Sequence, residues 1–184
     1  MIYSMKTILE ESIPVLLLAG ALSICAGLIL HNNSDLLFTL PGILVIIPSF
    51  NNMGGSVTSV LCCRLSSALH MGMIRPKLKK TKTLERNIFA TLIIAIISFL
   101  ALGLAAGGFN MILGLKSIDI LIFPFVTLAA GFVTVLILMT VSVLFSYISY
   151  SRGLDPDNMV IPVLTSLGDI VGVLLLFLIL TLVM

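Results

Sequence analysis

A chain of 184 residues that is 59% hydrophobic and only 10% charged cannot cover itself with a water-facing surface, because soluble domains carry roughly 25% charged residues. Its mean hydropathy is +1.25, and the formal net charge of +2 is unremarkable, so no nucleic-acid partner is expected. The bilayer is the expected solvent. There, backbone groups must be satisfied inside helices or a closed barrel, and the long, unbroken apolar runs select helices.

About 20 apolar residues cross the hydrocarbon, and five segments qualify, which predicts an all-α polytopic membrane protein. The first is Ile13–Leu30, with Ser12 as a cap and Pro14 in the first turn. Glu10 and Glu11 precede it and His31-Asn32-Asn33 follow, with no small-x-small cleavage site, so it reads as a retained helix and not a signal peptide. The second runs over about Leu36–Leu69 and is too long for a simple span. It contains Pro41, Pro48 and the stretch Ser49-Phe50-Asn51-Asn52-Met53-Gly54-Gly55-Ser56. Proline removes a donor and paired glycines weaken a helix, so a kinked or broken helix is expected here. Such breaks are tolerated at membrane depth where they line a cavity or pack on protein. The third, fourth and fifth segments cover about Ile88–Phe109, Ile118–Ile148 and Val160–Met184. Together they make one membrane domain over residues 1–184. Small residues recur at four-residue spacing, as in Ala19-Ser23-Gly27, Gly103-Gly107 and Gly168-Gly172, where helix backbones can approach closely. Cys25, Cys62 and Cys63 lie inside apolar runs and suggest buried thiols, not a disulfide framework.

The loops predict orientation. Arg75, Lys77, Lys79, Lys80, Lys82 and Arg86 lie between the second and third segments, against a single acid, Glu85. Lys6 and Arg152 fall on the same side, and the opposite loops offer only Lys116 among the bases. The positive-inside rule places the N-terminus in the cytoplasm and the C-terminus outside. The same basic loop is compatible with contact to anionic lipid.

One acid stands at membrane depth. Asp169 follows the apolar Val160–Leu167 and precedes Ile170–Val183, at an insertion cost of roughly 2.5–3.5 kcal/mol. At 100° per residue, Asn158, Pro162, Thr165, Asp169 and Gly172 share an arc of about 80°. In the second segment Pro48, Asn52, Ser56, Ser59 and Cys63 share a similar spacing. Two polar stripes in an apolar chain suggest the walls of one hydrophilic path. A carboxylate among hydroxyls and carbonyls is a hard-oxygen environment, suited to a cation such as magnesium that keeps several waters. His31 and His70 sit near opposite faces as interfacial side chains, and Arg64 is placed to snorkel. Ser166-Leu167-Gly168-Asp169 shares one detail with the Gly-x-Gly-Asp motif of intramembrane aspartyl proteases. That chemistry needs two carboxylates sharing a proton, and no second acid lies at this depth, so no enzyme is expected.

The segment Leu154-Asp155-Pro156-Asp157-Asn158-Met159-Val160-Ile161-Pro162-Val163-Leu164-Thr165-Ser166-Leu167-Gly168-Asp169 resembles the last-helix motif of MgtE-type magnesium transporters and of the related solute carrier family 41. Arg64-Leu65-Ser66-Ser67-Ala68-Leu69-His70-Met71-Gly72 resembles the end of that family's second helix. Gly54-Gly55-Ser56 stands where the family often shows Gly-Gly-Asn. The resemblance implies a five-helix membrane domain working as a dimer, with Asp169 in the pore and bound to the cation. It implies Mg2+ as the transported ion and no permanently bound cofactor. The long bacterial members add a cytoplasmic sensing region with paired CBS domains, which these residues do not contain, so gating by that sensor is not carried over.

The expected function is a divalent-cation transporter or channel in the cell membrane, acting as a homodimer or with a homologous half. Its candidate cation-contacting residues are Asp169, Thr165, Asn158, Ser56 and Asn52. Two other classes remain open at this point. One is a non-transporting subunit that packs against a membrane partner, for which Asp169 would face protein and not a path. The other is a proton-coupled carrier of a small organic solute, which calls for more intramembrane polar groups.

Overall fold

The structure is a computed structural model that describes residues 5–74, 81–115 and 118–183. Arg75, Lys77, Lys79, Lys80 and Lys116, which carry most of the charge asymmetry between the loops, lie outside these residues. The described chain is all-helical: α1 Met5–Asn32, α2 Ser34–Thr39, α3 Pro41–His70, α4 Lys82–Leu113, α5 Ile122–Ser151 and α6 Pro156–Val183. Five of these helices are long and apolar enough to cross a membrane. Their large outward side chains, such as Leu17 and Ile112, 71% and 80% exposed, are what a bilayer would cover.

Local chemistry sets the helix ends, which extend beyond the apolar runs. Helix α1 starts at Met5, two turns ahead of the expected Ile13, because Lys6 and Glu10, 3.7 Å apart, continue the helix out of the apolar zone. Pro14 therefore lies inside the helix. The long second segment is divided at Leu40, whose φ of −129° and ψ of 72° leave the helical region. Pro41 then opens α3 at a position where its missing N–H costs nothing. From there α3 is helical through Pro48 and through Gly54-Gly55. Thr81 caps α4 by accepting from the Leu84 N–H at 3.2 Å, and Gly114, with φ 60°, ends it in the left-handed region. Asp155 accepts from the Asp157 N–H at 3.0 Å, and Pro156 starts α6 four residues before the expected Val160.

The helices alternate in direction. Glu11 meets Asn158, Ser66 meets Asp157 and His70 meets Tyr150, so the starts of α1 and α6 share one end with the finishes of α3 and α5. Helix α6 packs against α1, α3 and α5, while α4 packs on α3 and α5. Helix α1 packs along α6 and meets the short α2, and no Cα of α1 comes within 8 Å of an α3 Cα. The main core lies between α3, α4, α5 and α6, with Phe50 and Phe99 at its centre, their rings 5.1 Å apart.

Two of the small-residue faces are spent on close helix contacts. A Cβ on Gly103 would stand 2.5 Å from the Pro124 Cα, so α4 and α5 meet there backbone to backbone. A Cβ on Gly168 would stand 3.2 Å from the Gly55 nitrogen, so α3 and α6 do the same. The Gly54-Gly55 pair thus serves close packing within a helical stretch. Ala19-Ser23-Gly27 differs, because nothing lies within 4 Å of a Cβ built on Gly27.

Candidate functional site

Since α1 and α3 both rest on α6 with their backbones apart, a trough remains between them. It forms a cavity of about 420 Å³ with α6 as its floor. Asp169 and Thr165 come from α6, Pro48, Asn51, Asn52 and Gly55 from α3, and Ser23, Ala26, Gly27 and Leu30 from α1. The Gly55–Gly168 contact makes this geometry possible. It brings α3 against α6 next to Asp169 and at Thr165, so side chains of the two helices open into the same space.

Asp169 is half-buried. Its Oδ2 accepts from the Ser23 hydroxyl at 3.3 Å, and the same hydroxyl lies 3.3 Å from Ser166 Oγ. Thr165 donates its proton to the Pro162 carbonyl at 2.9 Å, so its oxygen has lone pairs left to offer the cavity. Asn51 Oδ1 is buried with no hydrogen-bond partner. A Cβ on Gly172 would lie 3.1 Å from it. Asn52 accepts from Ser56 at 3.4 Å.

Of the five residues singled out in the sequence, Asp169, Thr165 and Asn52 line this cavity. Ser56 lies one turn beyond, exposed on α3 and tied to the cavity only through Asn52. Asn158 lies elsewhere. It donates to Glu11 Oε2 at 3.1 Å, and its eleven-residue offset places it about 16 Å along α6 from Asp169 at 1.5 Å per residue. The Asn158 amide ties the start of α1 to the start of α6. Sequence reasoning missed Ser23 and left Asn51 without a role. A serine in an apolar helix commonly bonds its own backbone, so neither side chain gave a signal by itself.

A second polar cluster marks the other end of the α3–α6 contact. Ser66 donates to Asp157 Oδ2 at 3.2 Å and lies 3.4 Å from His70 Nδ1. His70 meets Tyr150 edge-on at 5.1 Å. Among the described residues no group of three His, Cys, Asp or Glu side chains could hold a metal ion. Asp169 is the only carboxylate lining the cavity. The site therefore offers one charge and several neutral oxygens. That suits a hard cation that arrives with its waters.

A family model described as a divalent cation transporter, MgtE, matches residues 47–179, from α3 to near the end of α6. The chain belongs to the MgtE family of divalent cation transporters. It is thus a multi-pass membrane protein of a transporter family. It is 30% identical over 173 residues to solute carrier family 41 member 3 of Mus musculus, covering 88% of this chain and 35% of that protein. It is 28% identical over 180 residues to the Rattus norvegicus protein of the same name, covering 88% and 37%. The chain thus spans about a third of the length of the curated relatives it matches. No solved structure matches it. The MgtE match includes Asp169, Thr165, Asn52 and Asn51, while α1 with Ser23 lies ahead of it.

Proposed function

We propose that this MgtE-family protein carries magnesium across the membrane, with Asp169 as the carboxylate that meets the ion. The observation that carries the reading is one acid within the apolar run of α6 that opens into a cavity together with Ser23, Asn51, Asn52 and Thr165. Six waters at roughly 30 Å³ each occupy about 180 Å³, so a cavity of about 420 Å³ has room for a hydrated cation. Magnesium gives up its waters reluctantly and binds through one or two carboxylates. Contact between Asp169 and the ion is accordingly through its hydration shell. Thr165 and Asn52 offer neutral oxygens to the same shell, and Ser56 extends the polar face of α3 by one turn. Asn158 acts at a distance, by tying α1 to α6.

The working unit in this reading is a dimer, either of two copies or of this chain with a homologous half, its axis along the membrane normal. Closed twofold pairs are the commonest oligomers. Two Asp169 carboxylates brought together would repel, and a divalent ion between them removes that repulsion. The N-terminus is cytoplasmic, supported by Lys6, Lys82, Arg86 and Arg152 on the same-side loops and helix ends.

Magnesium flux into proteoliposomes containing the purified protein tests the assignment. Asp169→Asn removes the charge at nearly constant size and is cheaper to insert than a carboxylate. We expect it to fold and to lose at least 90% of flux, about 1.4 kcal/mol per factor of ten. Transport by Asp169→Asn at the parental rate would make this acid structural.

A further inference from the structure

Helix α1 lies ahead of the MgtE match, yet it forms one wall of the cavity. Of the four residues it contributes, Ala26, Gly27 and Leu30 are apolar, and Ser23 alone is polar. Its hydroxyl stands 3.3 Å from Asp169 Oδ2, and among the described residues it supplies the one side-chain hydrogen bond that Asp169 receives. The close backbone packing of α1 is with α6 and the short α2. What fixes the position of Ser23 is the α1–α6 seam itself, with Asn158–Glu11 at one end and the Ser23–Ser166 contact at the level of the cavity.

On the reading that Asp169 meets the transported ion, we propose that Ser23 is the positioning residue for that carboxylate. An aspartate on an open cavity wall samples several rotamers, and an ion that binds one of them must bear the cost of ordering the rest. A donor fixed on a neighbouring helix selects one rotamer before the ion arrives. At 3.3 Å the Ser23 contact is a long hydrogen bond, and its one proton is shared with Ser166; the charge on the carboxylate favours Oδ2 as the acceptor. Its attachment also leaves Oδ1 as the oxygen offered to the ion's water. The geometry makes α1 a participant in the site through one hydroxyl.

The test is the magnesium-concentration dependence of flux in proteoliposomes, which separates half-saturation from maximal rate. Ser23→Ala should raise the half-saturating concentration about three- to tenfold, the range of one ordinary hydrogen bond, with maximal flux kept within about twofold. Ser23→Thr keeps the hydroxyl and should restore the parental value. Val15→Ala loosens a buried α1 contact two turns away and should leave half-saturation unchanged. The proposal is overturned if Ser23→Ala saturates like the parent, if Ser23→Thr fails to restore it, or if Val15→Ala shifts it equally, since the effect would then belong to α1 docking in general. Asp169→Asn separates the two readings. Parental flux in that variant sinks the Asp169 assignment, whereas lost flux in it beside an unaffected Ser23→Ala sinks only the role of Ser23.

Discussion

Gly55 and Thr165 touch so closely that a methyl group on Gly55 would stand 3.0 Å from the Thr165 Cα. The next turn of α6 carries Asp169, so the spacing at this contact sets how far the carboxylate lies from the polar side chains of α3.

Gly55→Leu should force α3 and α6 apart. Overpacking of this kind costs typically about 1–3 kcal/mol, and it should lower the melting temperature in mild detergent together with magnesium flux. Gly108→Ala is the control, because nothing lies within 4 Å of a Cβ at that position of α4. There the gain in helix propensity over glycine should leave stability unchanged or slightly raised. A Gly55→Leu protein that melts with the Gly108→Ala protein would show that the contact does not set the fold.

The proposed orientation puts Lys79 in the cytoplasm. With Cys25, Cys62 and Cys63 replaced by serine, Lys79→Cys should resist an impermeant thiol reagent added to intact cells and react after permeabilisation. Strong labelling from outside would reverse the assignment.

The proposed pairing predicts the mass of two chains in mild detergent and in native membranes. A chain that is monomeric in both settings, with flux intact, would show that one copy, or a path outside the twofold axis, suffices.

The five spans were legible because each is a long, mainly apolar stretch, a signal that survives without knowledge of neighbours, although it is weakest in α3. Asp169 was legible for the opposite reason, as a charge where its run should have none. Thr165 followed from helical spacing, and so did Asn52. The same spacing placed Asn158 on the Asp169 face but could not show that Glu11, 147 residues away, would engage it. Ser23 is the converse case. Set among Ala19, Ala21, Ile24 and Ala26, it looks like any small residue of a packed helix, and only the docking of α1 on α6 gives its hydroxyl a carboxylate to hold. The helix ends ran past the apolar runs because capping by Thr81 and Asp155 depends on local backbone chemistry and not on hydropathy.

The seam between α1 and α6 joins helices far apart in the chain, with Ser23 and Asp169 146 positions apart. A ribosome delivers them in that order, so α1 enters the bilayer well before the helix it rests on has been made. Asp169 arrives only with α6, and until then the Ser23 hydroxyl has no carboxylate to hold. The trough has no floor until α6 is in place, so a chain stopped before α6 has neither the acid nor the cavity.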